Sequence, residues 1–317
     1  LFYQKSIHLS IYLPTAPCWW VSRMVGLPNM VAVLLAVLGL GLASSAAAAT
    51  AEPPRSARSR LWSLDGRTAV VTGGSKGLGR AIVEELMEQG CTVLTCARDV
   101  APLADLLEGG GSGSGRCIAI EADVSTAAGR EALVSEAERC FGTRGLGLLV
   151  NNVGTNLRKP STEYTDAEYE MLHATNQASA FHLSRRCHPM LKAAQGSVVC
   201  VSSVSGSSND ATGAVYHMTK AALEHMTRYL ACEWGPDGIR VNAVAPWFIN
   251  TPLTAPLLAR EHFHDAVRQA TPLGRVGEPH EVARSGSGSG SSSSGSRRLC
   301  SSSGSGSGSS SSSSSSS

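Results

Sequence analysis

The chain has 317 residues, 42% of them hydrophobic and 16% charged, with a formal net charge of +2. That is enough apolar material for a sizeable core, and no basic stripe interleaved with aromatics argues for nucleic-acid binding. Nine cysteines, at positions 18, 91, 96, 117, 140, 187, 200, 232 and 300, form no Cys-x2-Cys pair, so reduced thiols are expected and a disulfide framework is not.

Residues 1–60 read as a leader. A 14-residue apolar stretch, Met30 to Ala43, follows Arg23 and runs into Ala46–Ala49, the pattern of a cleavable signal peptide. It is shorter than the roughly 20 strongly apolar residues of a membrane span, although residues 30–49 could touch a membrane in transit. Glu52 is the one acidic residue before Asp65, against Lys5, Arg23, Arg55, Arg58 and Arg60, which suits an organelle transit peptide equally well. The expected address is therefore an organelle (chloroplast or mitochondrion) or the secretory pathway; with Met24 or Met30 as a downstream start it becomes cytoplasmic. At the other end, residues 285–317 hold only Ser and Gly apart from Arg297, Arg298, Leu299 and Cys300, and a disordered tail is expected there. Residues 61–284 remain as one globular domain.

Within that domain apolar runs alternate with helical patterns. Strands are predicted at 68–72, 91–96, 117–122, 146–151, 197–202 and 240–244, and helices from the glycine turn to about Gln89 and at 99–107, 126–141, 166–194 and 214–234. Continuous apolar strands separated by helices imply an α/β fold with a parallel sheet covered on both faces. The first strand runs directly into Gly73-Gly74-Ser75-Lys76-Gly77-Leu78-Gly79 and then a helix. Such a turn lets a backbone approach a pyrophosphate seated at the positive helix N-terminus. His262-x-His264 is expected to be a solvated helix face, and no metal site is predicted.

Further on, Tyr216 and Lys220 lie four positions apart in a helical pattern, on one face. A phenol beside an ammonium is a plausible acid/base unit, the positive charge favouring phenolate.

Taken with Asn151-Asn152-Val153-Gly154 and the glycine turn, Tyr216-x3-Lys220 resembles the short-chain dehydrogenase/reductase family over residues 61–284. Asn151–Asn156, Ala231-Cys232-Glu233-Trp234 and Val244–Ile249 are similar to its tropinone-reductase-like branch. The resemblance implies a Rossmann-type, doubly wound sheet in a single domain. It also implies an NADPH-dependent oxidoreductase that interconverts a ketone and a secondary alcohol. Tyr216 would be the proton donor, Lys220 its partner, Ser203 (13 positions earlier) the donor to the substrate oxygen, and Asn176 the holder of a relay water. Ser202 is the rival serine, but adjacent residues at a strand end face opposite ways.

For the cofactor, the resemblance points to Gly73, Ser75, Lys76, Gly77, Leu78 and Gly79 at the phosphates, with Asp123, Val124 and Asn151 on the adenosine side. Ile249 and Thr251 would touch the nicotinamide amide and the phosphates, beside Tyr216 and Lys220. Arg98, at the end of the second strand, suits a 2′-phosphate, and Lys76 adds a second cation, so NADP(H) is expected; Asp99 has the role of a helix cap. The substrate would be a compact, partly apolar carbonyl compound. Trp247, Phe248, Leu253, Leu257 and Leu258 would wall its site, with Asn209, Asp210 and Thr212 as polar spots. A 3-oxoacyl-thioester reductase shares every catalytic residue, and a non-catalytic nucleotide-binding protein is the reading of another class. After Arg284 the family's final helix and strand do not follow, so 240–244 is expected at an exposed sheet edge. A homodimer is the expected assembly.

Overall fold

The computed structural model describes residues 64–108, 116–210 and 212–284. The expected leader, the Gly109–Gly115 loop and the Ser/Gly tail lie outside them. Six parallel strands form one sheet: β1 (Thr68–Thr72), β2 (Thr92–Ala97), β3 (Arg116–Glu121), β4 (Leu148–Asn151), β5 (Ser197–Val201) and β6 (Arg240–Val244), in the order β3-β2-β1-β4-β5-β6. This is the doubly wound order, in which the crevice falls where the strand order reverses, between β1 and β4.

The alternation along β1 shows how the two faces are built. Val70 joins Leu94, Leu133, Leu149, Leu183 and Trp234 in one cluster, while Ala69 and Val71 join Val83, Leu86 and Val93 in the other. The second face is covered by α1 (Gly77–Glu88), which turns Val83, Leu86 and Met87 to the sheet. On the first face lie α2 (Ala127–Phe141), α3 (Asp166–His173), α4 (Ser179–Ala194) and α5 (Ala214–Trp234). The last of these buries Val215, Thr219, Leu223, Thr227, Leu230 and Trp234, one stripe at helical spacing.

The helix predicted over 166–194 is interrupted by a π-helical turn at Ala174–Ala178, between α3 and α4. Its extra residue per turn reorients the backbone at Asn176, and such turns often mark functional sites. Predicted helix 99–107 resolves into a 3₁₀ turn at Ala101–Leu103 and a short helix at Ala104–Glu108; the N-cap is Val100, not Asp99, whose carboxylate accepts from Ala101 N at 2.9 Å in a turn just ahead of the helix.

As expected, β6 is a sheet edge among the described residues. Beyond it come the helices α6 (Ala255–Leu258) and α7 (Glu261–Ala270), almost wholly within the segment 247–269 that the family resemblance would place over the site as a lid, then α8 (Pro279–Arg284). An isolated parallel bridge, Ile249 to Gly277, fastens the segment after β6, and Arg284 Nε meets Glu85 Oε2 at 2.9 Å, tying α8 to α1.

Leu149, at the middle of β4, has no exposed surface. Replacing it with Ala should destabilise the fold by about 2–5 kcal/mol, read as a fall in the urea midpoint with an unchanged slope.

Candidate active site

The glycine turn is set by backbone geometry. Gly73 and Gly77 adopt φ of 73° and 58°, conformations that side chains rarely take. A Cβ on Gly79 would fall 2.0 Å from Gly73 O, so the turn closes directly onto the start of α1. Gly73 N donates to Cys96 O at 2.8 Å, holding the turn against β2. No side chain caps α1, which leaves its first amides to a ligand. Ser75 and Leu78 are half-buried and Lys76 is exposed on this turn, while Arg98 is exposed just beyond β2. Asp123 follows β3; burial raises its carboxyl, but hydrogen bonds from Ser125 and the charge of Arg98 outweigh this and hold it below its ordinary value. A turn shaped by glycines and a bare helix start fit the pyrophosphate of a dinucleotide, and two exposed cations stand beside it. When bound, such a group supplies a hydride at its nicotinamide end.

Two of the residues expected on the adenosine side turn their side chains into the protein. Val124 is buried in the core, and its carbonyl accepts from Arg130 Nη1 at 2.9 Å. Asn151 points inward, donating to Ser184 Oγ at 3.0 Å, with its Oδ1 buried and unpaired. The neighbouring asparagine secures the turn: Asn152 Nδ2 donates to Thr72 O at 2.8 Å and Asn152 N to Thr72 Oγ1 at 2.9 Å. Thr251 packs beside Gly77, and Ile249 is buried at the bridge to Gly277.

Ser203 and Tyr216 line one cleft of about 60 Å³, together with Trp247, Phe248 and Leu253 of the lid segment. Ser203 Oγ donates to Ser205 Oγ at 3.1 Å and stands close enough to Tyr216 to pull its pKa down. Ser202 faces the other way, donating to Lys220 O at 3.3 Å and Glu224 Oε1 at 3.2 Å, so the serine expected from the spacing is the one in the cleft. Lys220 is buried behind the tyrosine, its Nζ 5.6 Å from the ring centroid and donating to Val201 O at 2.8 Å. Burial pushes its pKa down to about 8. The expected depression of Tyr216 is not what the geometry gives. Burial dominates and raises the phenol above its ordinary value, against the opposing pull of the Ser203 hydrogen bond, with Asp210 raising it further and Arg158 lowering it.

Asn176 is buried in the π turn. Its Oδ1 accepts from Thr155 N at 2.8 Å, while Nδ2 donates to Thr155 O at 2.9 Å and to Thr219 Oγ1 at 3.1 Å. Thr219, one residue before Lys220, is thereby joined to the loop after β4. Gly154 leaves space above both groups, since a Cβ there would lie 3.3 Å from Lys220 Nζ and 3.5 Å from Asn176 Oδ1.

Asp210 and Thr212 line the cleft as expected, whereas Leu257 and Leu258 do not; Leu258 borders a separate cavity of about 610 Å³ beside His264, Arg275 and His280. In that larger space Arg275 and Glu281 pair at 2.6 Å. Among the described residues no cluster of His, Cys, Asp or Glu could hold a metal, and the seven described cysteines are free, with burial raising the thiols of Cys91, Cys96 and Cys117 to about 11.

A dinucleotide cradle opening beside a Ser–Tyr–Lys cleft defines a nicotinamide-dependent oxidoreductase. The chain belongs to the short-chain dehydrogenase/reductase family, oxidoreductases that use NAD(P) and act on CH–OH groups. A family model described as enoyl-(acyl carrier protein) reductase matches residues 73–287. A tropinone reductase homolog of Arabidopsis thaliana is 48% identical over 225 residues, 71% of this chain and 85% of its own. Senescence-associated protein 13 of the same plant is 46% identical over 223 residues, 70% and 82% of the two chains. Among solved structures, the RhlG/NADP complex of Pseudomonas aeruginosa superposes with a TM-score of 0.65 at 33% identity, covering 70% of this chain and 88% of that one. L-sorbose reductase from Gluconobacter frateurii, complexed with NADPH and L-sorbose, gives 0.65 at 28% identity, with 70% and 88% covered.

Lys220 also links the site to stability. Below about pH 8 it is charged in both folded and unfolded chains, and the cost of burying that charge is present in full. Between about 8 and its ordinary 10.5 the folded protein sheds a proton that the unfolded chain keeps, so stability rises with pH across that window. Urea midpoints of wild type and Lys220→Met should therefore shift in favour of wild type between pH 7 and pH 10; a constant gap would contradict the burial cost.

Proposed function

We propose that this protein is an NADP(H)-dependent reductase that interconverts a compact ketone and its secondary alcohol, and that Tyr216 is the proton donor. The observation that carries this is the meeting of Ser203 and Tyr216 in one cleft with Lys220 buried directly behind. Ser203 donates to the substrate oxygen and fixes its position. As negative charge gathers on that oxygen, Tyr216 delivers its phenolic proton to it. A buried ammonium at Lys220 stabilises the phenolate that is left, and its lowered pKa lets it pass a proton back near neutral pH. Asn176 supports the relay end, holding the Thr155 backbone beside Lys220.

Arg98 and Lys76, both exposed at the cradle, support the preference for a 2′-phosphate. The NADP and NADPH of the two solved relatives agree with it. Two further readings belong with this one. A leader over residues 1–60, sending the chain to an organelle or the secretory pathway, finds support in an Arabidopsis thaliana tropinone reductase homolog whose name carries "chloroplastic". A homodimer is supported by exposed Phe181, Met218 and Tyr229 on α4 and α5.

Ketone-dependent NADPH oxidation tests the main reading. Tyr216→Phe should reduce kcat by about 10²–10⁴-fold while NADPH binding persists; wild type and variant equally inactive with NADPH bound would end the enzyme reading. Because the matching family model names an acyl-carrier substrate, a 3-oxoacyl thioester belongs beside the small cyclic ketones in that assay. For the cofactor, Arg98→Asp should move the kcat/KM ratio towards NADH, by about tenfold if one charge-assisted phosphate contact is lost, and an unmoved ratio would refute the 2′-phosphate role.

A further inference from the structure

The loop after β4 brings a second cation to the substrate cleft, one that the hydride-transfer chemistry does not use. Arg158 lines the same cleft as Ser203 and Tyr216, on the side of the lid segment, where Nη2 donates to Leu253 O at 3.2 Å. Among the described residues it enters no ion pair, whereas its neighbour Lys159 is matched to Glu168 at 2.6 Å. The opposing charge in the cleft is Asp210, which acts on Arg158 from a distance while its carboxylate oxygens are hydrogen-bonded elsewhere. It accepts from Ser205 Oγ and Thr212 Oγ1, each at 2.6 Å, and meets His217 Nε2 at 2.9 Å. The cleft therefore has three parts: a reactive end at Ser203 and Tyr216, an apolar wall at Trp247 and Leu253, and a side where Arg158 keeps donors beyond the one bound to Leu253 O.

We propose that Arg158 recognises an anionic group on the substrate, so that the preferred ketone carries a carboxylate on the side of its ring or chain away from the carbonyl. This rests on the reductase reading of the Tyr216 cleft and specifies its substrate class. A guanidinium anchored through one donor keeps others in a planar fork that matches a carboxylate. The lid carbonyl at Leu253 fixes the angle at which that fork is presented. At a cleft mouth partly open to water the pair acts mainly through substrate binding and responds to salt.

The measurement is steady-state reduction of 4-oxocyclohexanecarboxylate and of its methyl ester by NADPH, at low and high ionic strength. In wild type the acid-to-ester ratio of kcat/KM should be about tenfold or more, as one charge-assisted contact implies, carried in KM and reduced by salt. In Arg158→Gln the ratio should collapse towards one, and in Arg158→Glu it should invert. If Arg158 serves only to fasten the lid through Leu253, acid and ester lose in equal proportion; that result, or a wild-type ratio near one, overturns the proposal while leaving the reductase reading intact. Should neither ketone turn over, calorimetric binding of 4-oxocyclohexanecarboxylate to the NADP-loaded protein decides: weaker binding in Arg158→Gln than in wild type supports the role, and equal or absent binding removes it. The reductase reading stands or falls separately, on the Tyr216→Phe comparison.

Discussion

The site depends on a hydrogen-bonded seam at the C-terminal ends of the two central strands. Thr72 Oγ1 accepts from Asn152 N and Val153 N at 2.9 and 3.1 Å, and Asn152 Nδ2 returns a bond to Thr72 O. Strands β1 and β4 diverge here, and the crevice of a doubly wound sheet opens at this divergence. Without the seam the backbone groups of both strand ends would be left unpaired, at a cost of about 1–3 kcal/mol each. With it, the glycine turn and the loop that carries Gly154, Thr155 and Arg158 start from one rigid point. Cradle and cleft share a foundation only a few residues wide.

Charge burial is the second organising constraint. Lys220 sits on the buried stripe of α5, its ammonium satisfied by a single carbonyl of β5. A lysine so placed costs stability at neutral pH. The fold retains it between Val201, the Gly154 opening and the Tyr216 ring, where a proton must travel. The Asp210 cluster solves the opposite problem: an anion near the phenol is surrounded by hydroxyls and an imidazole, so that it shapes the loop from Ser203 to Thr212 without opposing Tyr216 any more than it must.

The sheet was legible because parallel strands buried on both faces read as short continuous apolar runs, and 240–244 matched β6 to the residue. Spacing alone puts Tyr216 and Lys220 on one helix face, whereas Ser203 follows from the family resemblance, which sets the serine 13 positions before the tyrosine. Spacing carries no information about depth, however, and depth decides the direction of the Tyr216 pKa. The pair Asn151-Asn152 shows the same limit on a strand. One asparagine faces the core and the other the turn, and adjacent polar residues at a strand end look alike until the neighbouring helix is in place. Ala174–Ala178 satisfies helical periodicity whether its hydrogen bonds are α or π, so the interruption at Asn176 left no trace in the sequence. Arg158 is one cation in a polar loop, and its meaning comes from groups far along the chain, Ser203 and Tyr216 in the same cleft and the carbonyl of Leu253.

The ion pair between Arg284 and Glu85 joins residues 199 positions apart, on α8 and α1, and the sheet beneath α1 is entirely parallel, each ladder requiring a long crossover. Contacts of such separation form late, because loop entropy is lost before they repay it. During synthesis α1 and its glycine turn leave the ribosome nearly two hundred residues before the helix that clasps them. The dinucleotide cradle, first in the chain, must therefore wait for the end of the domain before its outer face is shielded, and its apolar helix is the surface that a chaperone would meet longest.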